Sequence, residues 1–244
     1  MSLPKINVPT FELELPSTKE VLSFRPFLVK EEKILLMSLQ SGGTEEIVKA
    51  IKQIINNCIL TPEDFDVNKF PIYDLEYIFL QIRMKSVSDK LKLRFLPREN
   101  TDCEECKKQR IVEADLNDAK VEFKPNHSKT VDLGGGLLLT MRYPGVKVIT
   151  NFDGTKESTP IDEFFKLVWD CIDAVHQGND TYSTKDSTLA EGIEFLESLK
   201  KEQFLKIEEF FKTMPKLKLN VEINCKKCGF KETYPIVGLD NFFV

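Results

Sequence analysis

The chain of 244 residues has few of the side chains on which enzymes most often depend. It contains two histidines, His127 and His176, and a single tryptophan. It shows no Ser/His/Asp arrangement and no motif with paired carboxylates, the groups that usually carry nucleophilic and acid–base catalysis. The glycine triplet at residues 134–136 lacks the lysine and the following helix start of a phosphate-binding loop. The composition therefore favours a binding protein over an enzyme.

Long apolar segments are also missing. The first twenty residues contain Lys5, Glu12 and Glu14 together with three prolines, so we expect no secretory signal. No later stretch approaches the run of about twenty apolar residues that a membrane span requires. We therefore expect no contact with a membrane and a reducing cytoplasm, in which Cys58 and Cys171 are buried thiols rather than disulfide partners.

A surplus of basic residues is absent as well. The formal net charge is -5, and lysine and arginine are interleaved with acidic residues along the chain. Proteins that bind nucleic acids usually gather their basic residues on one face to neutralise phosphates. The charge balance argues against a primary role in binding nucleic acid.

What the sequence does contain is a doubled Cys-x-x-Cys motif. Cys103 and Cys106 form the first pair, and Cys225 and Cys228 form the second. Two cysteines separated by two residues can turn both sulfurs toward one point, and two such turns supply the four soft ligands of a tetrahedral zinc ion. Because four thiolates leave no position for a catalytic water, the predicted Zn²⁺ is structural. Each pair lies between strand-like runs: 91–96 and 110–116 around the first, 217–223 and 230–236 around the second.

The gap between the two pairs is far longer than in an ordinary zinc ribbon. If one metal joins both pairs, the residues between them must leave the ribbon, fold separately and return, so the zinc clamps the whole chain. The alternative is two independent pairs, either redox-active or accidental.

Apolar periodicity predicts an α+β fold, with helical lobes joined to small antiparallel β-hairpins that form a split zinc ribbon. We divide the chain into an N-terminal hairpin and helical lobe (1–88), a first ribbon hairpin (89–117), an inserted strand and helical region (118–215), and a second ribbon hairpin with an aromatic C-terminus (216–244). Within the inserted region we predict that His127 is a solvated loop residue and that a helix runs from Ile161 to Val175. His176 would then cap the C-terminal end of that helix.

Two apolar features predict a surface for a partner. The helix from Ile161 to Val175 carries apolar residues on more of its circumference than a single core face requires, and the chain ends on aromatic residues. Exposed aromatic patches often mark interaction sites. The predicted partner-binding residues are Phe164, Phe165, Trp169, Phe242 and Phe243. The alternative is that these side chains complete the core.

Three separated stretches resemble the baseplate hub assembly proteins of T-even-type contractile-tailed bacteriophages. They are FRPFLVKEEKILL (Phe24–Leu36), LTMRYP (Leu139–Pro144), and the finish from Cys225-x-x-Cys228-Gly229 to Gly238-Leu239-x-x-Phe242-Phe243. The specificity lies in their order and spacing along nearly the full chain.

The resemblance implies an assembly factor, a chaperone of the tape measure protein or a minor hub component. Such a protein binds other phage tail proteins, has no small-molecule substrate and acts in the host cytoplasm during tail assembly, with retention in the virion baseplate left open. Two other functions stay open on the residues alone: a zinc-ribbon nucleic-acid-binding or transcription accessory protein, and an enzyme with a redox-active thiol pair.

Overall fold

The computed structural model describes residues 7–41, 44–99, 101–146 and 159–238. Phe242 and Phe243 lie outside the described residues. Within these ranges, six α-helices and twelve β-strands form an α+β fold whose sheets are antiparallel, so the predicted fold class is confirmed at this level.

The helices are α1 (Val29–Ser41), α2 (Thr44–Cys58), α3 (Ile72–Ser86), α4 (Pro160–Asp170), α5 (Leu189–Glu197) and α6 (Lys201–Thr213). The strands are β1 (Phe11–Glu14), β2 (Val21–Phe24), β3 (Ile59–Thr61), β4 (Lys90–Phe95), β5 (Arg110–Asp115), β6 (Lys120–Glu122), β7 (Thr130–Gly134), β8 (Leu137–Met141), β9 (Ile172–Gln177), β10 (Asp180–Ser183), β11 (Lys216–Asn224) and β12 (Lys231–Val237).

The N-terminal part packs the sheet β1-β2-β3 against α2 and α3. Ile51, Ile54, Ile55 and Cys58 recur at helical spacing on α2 and are all buried in this core. Burial raises the pKa of Cys58 to about 11 and that of Cys171 to about 12. Both residues are therefore buried thiols, as predicted.

A buried ion pair lies within the stretch Phe24–Leu36. The Glu31 carboxylate is fully buried and accepts hydrogen bonds from Arg25 Nη2 at 3.0 Å and from the Leu28 N–H at 2.9 Å. Arg25 Nη2 also donates to the carbonyl of Asn57 at the end of α2. Burial alone would raise the pKa of Glu31, but Arg25 and the Leu28 N–H outweigh it and lower that pKa. The pair thus ties the start of α1 to the end of α2.

The middle of the molecule is built from two hairpins. The β4-β5 hairpin forms its own two-stranded sheet, and the β11-β12 hairpin is extended by β6. Their inward residues share one core with Leu80 and Met84 of α3; from the strands it contains Leu91, Leu93, Ala114, Leu217, Leu219, Val221 and Ile236. The two hairpins therefore pack together although residues 116–215 separate them in the sequence.

The region inserted between the hairpins has a core of its own. The sheet β10-β9-β8-β7 packs against α4, α5 and α6, and Trp169, Ile207 and Phe210 are among its buried residues. The inserted region meets the N-terminal part at Tyr73 of α3, whose ring contacts those of Tyr143 at 5.4 Å and Phe123 at 5.9 Å. The Ile72 N–H also donates to the Pro144 carbonyl, which lies at the end of the LTMRYP stretch.

The predicted helix from Ile161 to Val175 is wrong beyond Asp170. Helix α4 ends at Asp170, and Ile172–Gln177 is strand β9, paired with β8 and β10. The apolar residues of both segments favour a single helix by their number alone. Ile172 and Val175 are β-branched, however, and pair with Met141 and Leu139 of β8.

Both histidines also differ from their predicted roles. His176 lies within β9, where Nε2 is 2.8 Å from Thr140 Oγ1 and Nδ1 is 3.0 Å from Thr181 Oγ1, so it is not a helix cap. His127 is half-buried and is not a solvated loop residue: Nδ1 lies 2.9 Å from Thr213 Oγ1, and the ring contacts those of Tyr143 and Phe210. Each histidine has at least one partner distant in sequence, Thr140 for His176 and Thr213 for His127.

The contact between Trp169 and Gly192 of α5 allows a direct test of the packing in the inserted region. A Cβ atom placed on Gly192 would lie 2.2 Å from Trp169 Cδ2. In an exposed helix, Gly→Ala is stabilising by about 1 kcal/mol, but here we expect overpacking to destabilise the protein by about 1–3 kcal/mol. Denaturant unfolding of Gly192→Ala checks this, with the difference between Glu194→Ala and Glu194→Gly, at an exposed position inside the same helix, as the measure of propensity alone. An increase in stability for Gly192→Ala would contradict the described packing.

Candidate metal centre

Each cysteine pair lies in a tight turn between antiparallel strands. In the first turn the Cys106 N–H donates to the Cys103 carbonyl at 2.9 Å. In the second, the Gly229 N–H donates to the Cys225 carbonyl at 2.9 Å, and the Cys225 N–H donates to the Phe230 carbonyl at 2.8 Å. Gly229 adopts a φ of 72°, a left-handed conformation that favours glycine and turns the chain into β12. These turns direct the cysteine side chains toward the same point.

The four sulfur atoms lie within 4.8 Å of one another. Cys103 Sγ is 3.9 Å from Cys225 Sγ, and Cys106 Sγ is 3.5 Å from Cys228 Sγ, so the sulfurs of one turn contact those of the other. A disulfide would need about 2.05 Å, and all four cysteines are free. Tetrahedral zinc with Zn–S bonds of about 2.3 Å gives sulfur–sulfur edges of about 3.8 Å. The cluster therefore has dimensions suited to a metal ion.

The chemistry of the thiols suits a metal as well. Hydrogen bonds from the backbone N–H groups of Cys228 and Lys227 lower the pKa of Cys225 to about 6. Burial and the neighbouring thiols raise the pKa of Cys106 to about 11, while Arg110 Nη2, 2.8 Å from Cys106 Sγ, favours its thiolate. A metal cation would replace the protons that the crowded thiols share, because metal binding requires thiolates.

Comparison with known proteins assigns the chain to a family. A family model described as T4 bacteriophage base plate protein matches residues 8–244. The chain belongs to this family. The resemblance of the three stretches to T-even-type phage proteins is thereby confirmed at the level of the baseplate family. No curated protein and no solved structure matches the chain significantly.

Contacts around the cysteines also join the two turns of this baseplate protein. Arg98 stacks over the Phe230 ring at 3.6 Å, and Phe95 meets Tyr234 edge-on at 5.7 Å. Glu105 binds Lys227 of the opposite turn at 3.3 Å. This ion pair is exposed and contributes little to stability. The ring contacts of Arg98 with Phe230 and of Phe95 with Tyr234 contribute more to holding the two turns together.

The predicted partner-binding residues on α4 pack against neighbouring helices. The Phe165 ring stacks on Phe204 at 5.2 Å, and Phe164 meets the same ring edge-on at 6.2 Å. Both remain partly accessible, whereas Trp169 is only 8% exposed and lies against Phe195 and Gly192. A partner could reach Trp169 only if these helices separated, so the partner-binding prediction rests on Phe164 and Phe165 among the described residues.

Apolar surface is exposed elsewhere on the baseplate protein, at positions that the sequence analysis did not single out. Val29 and Leu36 on α1 are 81% and 54% exposed, and Leu96 and Ile111 near the cysteines are 81% and 68% exposed. No helix in the described ranges is long and apolar enough to cross a membrane. The helical spacing of α1 and the strand alternation around Ile111 indicate which residues share a face. They do not indicate which face stays accessible, because the partners that cover the other face are distant in sequence.

Proposed function

We propose that this baseplate protein binds one structural Zn²⁺ through Cys103, Cys106, Cys225 and Cys228, and that the ion closes a zinc ribbon split by the inserted region. The observation that carries the proposal is the convergence of four sulfurs from two turns far apart in the sequence. Four thiolates select zinc or an iron–sulfur centre, and zinc suits a single tetrahedral site without redox chemistry.

The surroundings of the cysteines argue for a structural role rather than a redox one. Both pairs join antiparallel strands, whereas a redox-active Cys-x-x-Cys commonly lies at a helix N-terminus. With four protein ligands the ion has no open position for a substrate or a water. Membership of a baseplate family likewise favours a role without catalysis.

The biological role that we propose is phage baseplate hub assembly through protein–protein binding. The protein would act in the host cytoplasm as an assembly factor, a chaperone of the tape measure protein or a minor hub component, and the last of these would remain in the virion baseplate. The family match supports a tail role. Lysines near the cysteines give little support to a nucleic-acid role, because Lys107 pairs with Glu104 and both Lys108 and Lys227 pair with Glu105.

The split ribbon also implies that the chain divides after residues 88, 117 and 215. Three core clusters support this division, although Leu80 and Met84 of the N-terminal lobe and Ala119 of the inserted region also contribute to the hairpin core. In this proposal the metal holds the hairpins together and so anchors the two ends of the inserted region.

Loss of one ligand should destabilise the joined hairpins and release the metal. We expect Cys225→Ser to lower the free energy of unfolding by several kcal/mol, because structural zinc contributes on the order of 10 kcal/mol in small modules. A chelator should have the same effect on the unaltered protein and little further effect on the variant. Metal analysis and denaturant unfolding measure both results.

Lys226→Ala is the matched control, because Lys226 lies in the same turn, is exposed and is not a ligand. It should keep one zinc per chain and nearly unchanged stability. Purified protein without zinc, with all four thiols freely titratable in the folded state, would refute the metal site.

The assembly role is tested by co-purification from infected cells, comparing assembly intermediates with mature particles. We expect a hub protein or the tape measure protein to accompany the chain in intermediates. Recovery in mature particles would identify a minor hub component, whereas recovery from intermediates alone would identify an assembly factor or chaperone. Nucleic acid without tail proteins, together with a salt-dependent gel shift, would contradict the role.

A further inference from the structure

A groove separates the two hairpins along the free edges of β5 and β11. It has a volume of about 430 Å³ and is bordered on one side by Glu113 and Asp115 and on the other by Asn220 and Glu222. We call it the β5–β11 slot. The direction of the backbone N–H and C=O groups of the two strands decides whether the slot can accept an added strand.

On β5, the pairing pattern directs alternate peptide groups into the slot. The Leu116 N–H donates to the Asp89 carbonyl at 2.8 Å, one step beyond the pair Lys90↔Asp115. Because hydrogen-bonded and non-hydrogen-bonded pairs alternate in an antiparallel ladder, Asp115 and Glu113 are not hydrogen-bonded to β4. Their N–H and C=O groups therefore point away from β4.

On β11, the pairing pattern likewise directs alternate peptide groups away from the partner strand. The Gly238 N–H donates to the Leu217 carbonyl and the Cys225 N–H donates to the Phe230 carbonyl, so odd-numbered residues of β11 bond to β12. The N–H and C=O groups of even-numbered residues point away from β12. On that side β6 pairs with Lys216 to Lys218 and then ends. The N–H and C=O groups of Asn220 and Glu222 are left on an open edge. Pro235, which lies opposite Asn220, agrees with this pattern, because an N–H at this position would point away from β11 and the ladder does not need it.

The open groups of both strands face one slot that is bounded at its two ends. Across the described ranges, no backbone hydrogen bond reaches the outward groups of Glu113, Asn220 or Glu222, or the N–H of Asp115. The Asp115 carbonyl is engaged by the 3-10 turn that follows it. At one end lies the short 3-10 turn Leu116–Asp118. At the other end the strands reach the cysteine cluster, where Arg110 contacts Cys106 and Asn224 precedes Cys225. Unpaired strand edges are ready templates for an added strand.

The side chains around the slot define what such a strand would carry. Val112, Ala114, Leu219 and Val221 line it from the side of the apolar core. The outer rim carries Glu113, Asp115, Asp118 and Glu222, and the one lysine of the rim, Lys90, is paired with Asp115. Since side chains alternate between the two faces of a strand, the complementary strand has apolar residues facing the core and basic residues facing the rim.

We propose that the β5–β11 slot binds an extended segment of a partner protein, with alternating apolar and basic residues, as an added strand that joins the two hairpins into one sheet. Backbone hydrogen bonds supply the attachment, and the acidic rim supplies the selection for charge. The inference rests on the proposed function in one respect: the bound metal holds one end of the slot together.

The test uses the full, zinc-loaded chain and an eight-residue synthetic peptide of alternating valine and lysine. Hydrogen exchange measured by NMR should slow at the amides of Glu113, Asp115, Asn220 and Glu222 when the peptide is added. A peptide of alternating valine and glutamate should leave these amides unchanged. Glu113→Lys combined with Glu222→Lys should weaken binding by roughly tenfold or more at low salt, whereas Glu232→Lys on the far strand β12 should leave it nearly unchanged.

Three outcomes would overturn the inference while leaving the metal site intact, since zinc content is measured on the same samples. The first is a lack of peptide binding, and the second is protection at amides outside the slot. The third is protection of the slot amides before any peptide is added. If that protection disappears on truncation after Gly238, the chain's own end fills the slot; if it depends on concentration, a second copy does.

Discussion

The meeting of four cysteine sulfurs is the constraint on which the rest of this structure depends. The two turns that carry them belong to different hairpins, and sulfur–sulfur contacts of 3.5 and 3.9 Å join one turn to the other. Four thiols held this closely repel one another once ionised, so without a cation the arrangement favours shared protons. The cysteine turns thus close one end of the two hairpins, and the inserted region leaves and returns at the other end, where β6 pairs with the start of β11.

The junction could be predicted from the sequence because its information is local. A Cys-x-x-Cys turn determines the direction of both sulfurs over four residues, and the alternating runs on either side identify the strands. Features whose determinants lie close together in the chain were therefore accessible to sequence reasoning.

Features determined by partners distant in sequence could not be predicted in this way. Ile172 and Val175 look like the continuation of an apolar helix, and only their pairing with Met141 and Leu139 makes them part of a strand. His127 looks solvated until Tyr143, Phe210 and Thr213 pack around it. The open edges of β5 and β11 have no sequence signature at all, because an edge is defined by which strand fails to pair with it. In the proposed strand addition, partner recognition by this baseplate protein would use these open edges.

X-ray absorption at the zinc edge tests the central claim most directly. If one ion joins both turns, the purified protein will show four sulfur neighbours at about 2.3 Å, and Cys106→Ser and Cys228→Ser will each reduce the sulfur neighbours of the same ion by one. Two sulfur neighbours per ion, with each variant affecting a different ion, would show separate sites on the two turns and would contradict the account.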